Sequence, residues 1–418
     1  MSDPIRVLHF ADSHIGVESY GRTDPETGLS SRVVDFLHRM DDLCDHAREH
    51  EVDLVIFAGD AFKTPNPNPT YQREFAHRIR DLAMLAPVVL LIGNHDTSPS
   101  VIKATSLEIY DTLAVHNVVV ADRYDTHTVE TKRGPVVVGT APYPLRARIL
   151  EHVPRMGLTI KETDAILQEK LVEILDDLAT EAAAKADDLG AGTPRLLVGH
   201  FTVGGATVGS ERTIMLGRDI SVPKMILADS RWDYVALGHI HKHQNLTEGR
   251  TDAPPVVYSG SIERIDFGEE GDAKGFCWVE LGRENTTWQF HKLAARPFFT
   301  IRADLREDLE PTTTVLAEIE RYQLAQSVVR MILQFSPESE ARFNEATVRE
   351  ALRRAGVFYI AAIRREVEQP ARARLGTSPE GLTHEELLER YFISKEIPAP
   401  RRETLMDKAK MIFEEVGE

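Results

Sequence analysis

Five short clusters in the 418-residue sequence carry side chains able to hold metal ions: Asp12-Ser13-His14, Gly59-Asp60, Gly93-Asn94-His95-Asp96, Gly199-His200 and Gly238-His239-Ile240-His241. Carboxylate oxygen, amide oxygen and imidazole nitrogen together suit divalent ions such as manganese, iron or zinc. No thiolate belongs to the set, which argues against a closed structural zinc site. A single Gly-Asp or Gly-His is an ordinary turn, and so is Asn-His-Asp taken alone. The ordered series of all five is what points to a metal centre. Glycine precedes four of the clusters, where a tight turn or a close backbone approach leaves no room for a side chain. A carboxylate such as Asp60 can bridge two ions, which a histidine cannot. Two ions roughly 3.5 to 4 Å apart can ionise a water, hold a phosphate between them and neutralise charge on the attacking and leaving oxygens.

Something must bring these clusters together, and each follows a short apolar run. Val7 to Phe10, Leu54 to Ala58, Val88 to Ile92, Leu196 to Val198 and Tyr234 to Leu237 read as strands buried on both faces, as do Val136 to Val138 and Val256 to Tyr258. Between the first two, Val33, Phe36, Leu37, Met40, Leu43, Cys44 and Ala47 recur at intervals of three and four, one stripe of an amphipathic helix. Strand, helix, strand in this order predicts a layered α/β core. In such sheets ligands are met just past the carboxyl ends of the strands, which is where the clusters lie.

Composition sets the frame around that core. At roughly 150 residues per domain the chain has room for two to three domains, and its 42% hydrophobic and 28% charged residues are ordinary for a globular protein. Lysine plus arginine is 49 against 66 aspartate plus glutamate, a net charge of −17. That sign disfavours indiscriminate binding to a phosphate backbone, yet it leaves room for a nucleic-acid enzyme whose bound cations invert the local field. The two cysteines, Cys44 and Cys277, cannot build a disulfide framework and are expected to be reduced and structural. No run approaches the roughly 18 apolar residues a membrane helix needs. Strand-like Ile5 to Phe10 follows the start so closely that no signal core fits, so a cytoplasmic location is expected.

From Leu281 to Pro297 two turn-like stretches mark an expected domain boundary. Beyond it, strand-like Thr300 to Ala303, a helix over Thr313 to Leu324, strand-like Val328 to Gln334, a helix over Asn344 to Ala355 and a strand over Phe358 to Arg364 predict a compact βαβαβ unit. Between Arg342 and Arg374 eight arginines meet four glutamates and no lysine, +4 in a chain of −17. This reads either as a solvated helix face or as a surface that touches a phosphate backbone. Past the linker-like Gly376-Thr377-Ser378-Pro379, Thr383 with Glu386 forms a capping box before Leu387, Leu388, Tyr391 and Phe392. A second stripe, Leu405, Ala409, Ile412, Phe413 and Val416, follows the breaker Ile397-Pro398-Ala399-Pro400. Such a pair of helices packs on its own protein or docks on a partner.

The ordered series of five clusters resembles the calcineurin-like metallophosphoesterases. Within that superfamily, His9-Phe10-Ala11-Asp12-Ser13-His14-Ile15-Gly16 and the run from Tyr258-Ser259-Gly260-Ser261-Ile262-Glu263-Arg264 to Ile265-Asp266-Phe267-Gly268-Glu269 resemble the SbcD-type nucleases. The resemblance implies an α/β fold, a four-layer α/β/β/α sandwich over residues 1–285, with a small α+β capping, DNA-binding domain over 286–375 and a C-terminal helical hairpin over 376–418. It implies two divalent metal ions, manganese first among them. One would be held by Asp12, His14, Asp60 and His241, the other by Asp60, Asn94, His200 and His239. His95 would stabilise the scissile phosphate and protonate the leaving oxygen, with Asp96 orienting it. Lys63 stands where many relatives carry a second histidine; it reads as a point charge for phosphate or as a solvated loop lysine. Arg264 is expected to contact substrate.

The implied activity is a metal-dependent DNA nuclease, a 3′ to 5′ exonuclease on duplex ends and an endonuclease on single strands and hairpins, acting in double-strand-break repair. The chain has no Gly-x-x-x-x-Gly-Lys-Ser/Thr loop, so any ATP dependence belongs to another protein. The resemblance names an SbcC-type coiled-coil ATPase, docked on the terminal helices. It also implies a homodimer joined near Tyr71 to Leu85 and Val101 to Leu113, DNA ends as the substrate and no membrane. The rival readings are a small-molecule phosphodiesterase or phosphatase of the same superfamily, and a DNA-end tether or ATPase regulator with an inactive centre. The loop Phe201 to Arg212, with Gly204, Gly205 and Gly209, either closes over substrate or is a surface loop.

Overall fold

The computed structural model describes residues 3–97, 104–151, 159–209, 220–283, 285–368, 383–395 and 397–416. Two six-stranded sheets carry the first part of the chain. In one, the strands Ile5–Phe10, Leu54–Phe57, Val88–Leu91 and Val118–Ala121 run parallel side by side, and Gly275–Leu281 pairs antiparallel with the first of them. In the other, Gly134–Ala141, Arg195–His200, Tyr234–Gly238 and Val256–Tyr258 run parallel, with Asp125–Thr131 and Gln244–Asn245 as antiparallel edges. Parallel strands need crossovers and must be buried on both faces, which is why they read as unbroken apolar runs.

Three layers of apolar side chains hold this architecture. Between the sheets lie Val7, Leu54, Ile56, Val89 and Leu91 from one and Val136, Val138, Leu196, Val198 and Ala236 from the other. On the outer face of the first sheet, the helix Ser31–Glu49 buries Val33, Phe36, Met40 and Leu43, and the helix Pro69–Ala83 buries Phe75, Ile79 and Leu82. On the outer face of the second, the helix Ile160–Leu189 buries Leu167, Leu171, Leu175 and Leu178. The order is therefore helix, sheet, sheet, helix, the expected four layers. Cys44 and Cys277 are both free and buried, Cys44 on the apolar stripe of the first helix. Phe75, Ile79 and Leu82, which the dimer expectation leaves open, belong to the internal core; Ile102 lies outside the described residues.

The chain divides into two compact units, Met1–Thr300 with Leu324–Arg330 and Arg353–Ala361 in one, and Ile301–Gln323, Met331–Leu352 and Ala362–Glu418 in the other. The expected boundary at residue 285 falls inside a hairpin: Gly275–Leu281 and Thr287–Lys292 pair antiparallel, so the first sheet continues to Lys292. The strands Phe298–Asp304, Val328–Phe335 and Tyr359–Val367 form a separate sheet in that order, with the helices Pro311–Glu320 and Glu345–Arg354 between them. This is the predicted alternation. Several of the clustered arginines pair locally, Arg349 and Arg365 with Glu345 and Arg364 with Glu366. Helices His384–Ser394 and Ala399–Val416 pair with one another, the first opened by the Thr383–Glu386 capping box and joined to the second by Lys410 and Glu385. The linker-like 376–379 lies outside the described residues. No helix among the described residues is long and apolar enough to cross a membrane.

Candidate metal centre

The five clusters occupy the carboxyl ends of five parallel strands, Ile5–Phe10, Leu54–Phe57 and Val88–Leu91 of the first sheet and Arg195–His200 and Tyr234–Gly238 of the second. The backbone bends sharply as it leaves them. Asp12, His14, Asp60 and His239 all have positive φ (53°, 37°, 60° and 92°), a conformation that costs a non-glycine residue on the order of 1 kcal/mol and persists only where the surroundings impose it. Two glycines make the approach possible. A Cβ on Gly93 would lie 2.1 Å from Asp60 Oδ1, and one on Gly59, itself at φ 96°, would lie 2.3 Å from His200 Nδ1.

The donor atoms converge in two groups that share Asp60. In the first, His14 Nε2 and His241 Nε2 are 2.9 Å apart, His14 Nε2 is 3.6 Å from Asp60 Oδ2, and Asp12 closes the group. In the second, Asn94 Oδ1 lies 3.0 Å from His200 Nε2 and 2.9 Å from His239 Nδ1, while Asp60 Oδ2 is 3.4 Å from His200 Nε2. Asp12 also accepts the His239 amide at 3.1 and 3.2 Å, tying the two groups together.

Hydrogen bonds behind the rings decide which nitrogen faces the centre. A carbonyl only accepts, so His200 Nδ1, 2.6 Å from the Ala58 oxygen, carries a hydrogen and turns the Nε2 lone pair inward. His241 Nδ1 is likewise 2.7 Å from Glu269 Oε1, leaving Nε2 toward His14. His241 Nε2 thus faces His14 Nε2 at 2.9 Å and His200 Nε2 faces the Asn94 oxygen at 3.0 Å, while the buried His14 Nδ1 has no hydrogen-bond partner among the described residues. Electrostatics differ from group to group, and burial holds the His14 ring well below the usual imidazole range. Burial lowers the His200 pKa, but the Asp60 carboxylate outweighs it and lifts the ring to about 9. Burial works to raise Asp60, yet His200, His95 and His14 hold it well below the usual carboxylate range. A donor set built from imidazole, carboxylate and amide oxygen fits divalent metal ions.

Around this centre the structure sorts the remaining candidates. His95 donates its amide to Asp60 Oδ1 at 2.8 Å, and its Nδ1 is 3.0 Å from the Lys63 carbonyl, so Nε2 is left available beside the His14 ring. Among the described residues the Lys63 ammonium makes no hydrogen bond or ion pair; its charge is felt at His14. Asp96 departs from expectation. Its carboxylate does not hold His95 but accepts the amides of Asp60 (2.9 Å), Ala61 (3.0 Å), Phe62 (3.3 Å) and Gly93 (3.1 Å), pinning the loop that carries Asp60. It is a positioning residue, and the orienting role belongs to the Lys63 carbonyl.

Arg264 also departs from expectation. Its guanidinium donates to the carbonyls of Glu269, Ala295, Arg296 and Asp272 at 2.8 to 3.3 Å, which leaves no free fork for a phosphate. Its work is to fasten the chain near residue 296. Arg264→Ala is expected to lower folding stability by about 3 kcal/mol, since four partly buried carbonyls lose a charged donor. A thermal unfolding scan checks this; an unchanged midpoint with weakened substrate binding would return Arg264 to the substrate. Glu269 and Lys274 were not singled out by sequence reasoning as parts of the centre. The available signal was Glu269 itself, an acid in the run that carried the family resemblance.

A family model described as calcineurin-like phosphoesterase matches residues 5–243, and the chain belongs to that family: it is a metal-dependent phosphoesterase. Among characterised proteins it is similar to the SbcD component of the SbcCD nuclease of Bacillus subtilis, 29% identical over 294 residues that cover 68% of each chain. Similar solved structures include a dimetal phosphatase from Danio rerio, with 13% identity, a TM-score of 0.40 and coverage of 69% of this chain and 100% of that one. A purple acid phosphatase from yellow lupin (Lupinus luteus) seeds shows 12% identity and a TM-score of 0.43 over 70% of this chain and 52% of that one.

Proposed function

We propose that the chain is a manganese-dependent DNA nuclease acting on DNA ends in double-strand-break repair. The reading is carried by one observation, the convergence of Asp12, His14, Asp60, Asn94, His200, His239 and His241 from five strand ends onto one buried centre. The similarity to the SbcD component of a nuclease directs it toward DNA. In this reading Asp12, His14, Asp60 and His241 hold one ion, Asp60, Asn94, His200 and His239 hold the other, and Asp60 is shared. The ions, when bound, supply an ionised water and neutralise charge on the phosphate.

The protein's own groups do the rest. His95, with its Nδ1 hydrogen held by the Lys63 carbonyl, acts in its doubly protonated form: it faces the scissile phosphate with its Nε2 hydrogen and passes that proton to the leaving oxygen as the phosphorus–oxygen bond breaks. Lys63 adds a positive point charge that holds the phosphate, and Asp96 keeps Asp60 in place. The chain beyond Lys292, as far as residue 375, serves as the cap toward DNA, the hairpin within 376–418 receives an SbcC-type coiled-coil ATPase, and the working form is a cytoplasmic homodimer.

The test is cleavage of an end-labelled linear duplex by purified protein with manganese, with magnesium and with chelator, beside the small diester bis-p-nitrophenyl phosphate. Manganese-dependent shortening of the duplex that chelator stops is the expected result. Hydrolysis of the small ester while the duplex stays whole, even with the ATPase partner and ATP added, would overturn it in favour of a small-molecule phosphodiesterase.

A further inference from the structure

The imidazoles of the centre are not supported alike. His200 rests its Nδ1 on the backbone carbonyl of Ala58, and His95 rests on that of Lys63. His241 rests on a carboxylate. Glu269, wholly buried at the end of the short turn Phe267–Glu269, places Oε1 2.7 Å from His241 Nδ1. Its other oxygen accepts the Ile265 amide at 2.9 Å and lies 2.9 Å from the Lys274 ammonium, which is also wholly buried. That ammonium gives its two remaining hydrogens to the His241 carbonyl at 3.0 Å and the Ser261 hydroxyl at 2.8 Å. The Ser261 amide, in turn, donates to the same His241 carbonyl at 3.1 Å.

His241 is therefore gripped at both ends, ring and backbone, by one buried ion pair. Two charges taken wholly out of water are costly, and replacing such a pair by apolar residues is often neutral or stabilising. What the pair supplies here is orientation and electron density. A carboxylate behind a ligating imidazole fixes its tautomer and raises the basicity of the opposite nitrogen, with effects of about 10 to 100-fold in metal affinity. We infer that Glu269, braced by Lys274, is a positioning residue that sets the affinity of the metal position to which His241 belongs. The inference rests on His241 being a metal ligand, as proposed above. It assigns to a buried acid, 28 residues further along the chain, control over one ion of the pair and not the other.

The experiment is a manganese titration of metal-stripped protein, followed by calorimetry and by the electron paramagnetic resonance of free manganese, in wild type, Glu269→Gln and the double variant Glu269→Gln with Lys274→Met. The double variant removes both charges together, so that no lone buried ion is left to unfold the chain. Wild type is expected to bind two ions. Both variants are expected to lose about 10-fold or more at one of the two steps, with the other step unchanged and, in the double variant, the metal-free melting temperature close to that of wild type. Two steps of wild-type affinity in the double variant would overturn the role of Glu269 while leaving the metal centre intact. Equal weakening of both steps together with a large fall in melting temperature in the double variant would likewise overturn it, by showing a merely structural part. A wild type that takes up no manganese would instead remove the reading on which the inference stands.

Discussion

Replacing Asp60 by alanine is expected to abolish manganese binding and phosphodiester hydrolysis together, with a loss of roughly a thousandfold or more in turnover, about 4 kcal/mol of transition-state stabilisation. One carboxylate oxygen of Asp60 reaches both donor groups. Its Oδ2 lies 3.4 Å from His200 Nε2 in one group and 3.6 Å from His14 Nε2 in the other, while Oδ1 holds the His95 amide. Removing it deletes the shared ligand, relaxes the placement of His95 and withdraws the negative charge that His200, His95 and His14 surround. The fold should survive. The Asp60 amide still donates to Asp96, and the side chain contributes nothing to the apolar layers. Calorimetric titration with manganese and the rate of hydrolysis of bis-p-nitrophenyl phosphate check this; a variant that still takes up two ions would show that Asp60 does not bridge.

Replacing His95 by alanine is expected to separate the two properties that Asp60 joins. Its ring lies beside that of His14, with Nδ1 fixed on the Lys63 carbonyl and Nε2 left available, and it is within ligand reach of His14 and Asp60, so the variant tests whether it donates a proton or holds an ion. The expected result is a fall of about 100 to 10,000-fold in the turnover number, two manganese ions still bound, and little change in the concentration of DNA that half-saturates the protein. The deficit should be largest for substrates with poor leaving groups and smallest for an activated ester, whose leaving oxygen needs no proton. An equal deficit on both, or the loss of one ion, would move His95 from acid catalysis to metal binding.

How much of this can be read in advance differs from residue to residue. The convergence of the seven proposed donors and His95 is legible because it obeys a rule of layered α/β folds: reactive groups sit where a buried parallel strand ends, and the glycines before them mark the tight exits. The four layers are legible for a similar reason, since strands buried on both faces leave unbroken apolar runs. Asp96 and Arg264 depart from expectation because the type of a residue does not disclose its partner. The amides that Asp96 accepts come chiefly from a loop 34 to 36 residues away, and Arg264 is consumed by two carbonyls of the turn that follows it and two others 31 and 32 residues further on.

The edge strands Asp125–Thr131 and Thr287–Lys292 escape sequence reasoning because a strand with one exposed side alternates polar and apolar residues and resembles loop. The long helix Ile160–Leu189 leaves clear marks, the capping box Thr159 and Glu162 and the stripe Leu167, Leu171, Ile174, Leu175 and Leu178. It carries none of the proposed metal-binding side chains, so no reactive motif marks it.

The wide spacing of the donors bears on how the protein comes into being. His14 and His241 meet across 227 positions of chain, and the first strand receives its antiparallel neighbour only when Gly275–Leu281 arrives, with Ile5 opposite Leu281. During synthesis the amino-terminal portion emerges first, and for most of that time it holds Asp12, His14 and Asp60 without the histidines that complete either group. A chain cut before His239 therefore lacks a member of each donor group, however well its first strands form. Bringing the two ends of so long a stretch together costs chain entropy that only the packed layers offset, so a complete centre presupposes that both sheets are complete.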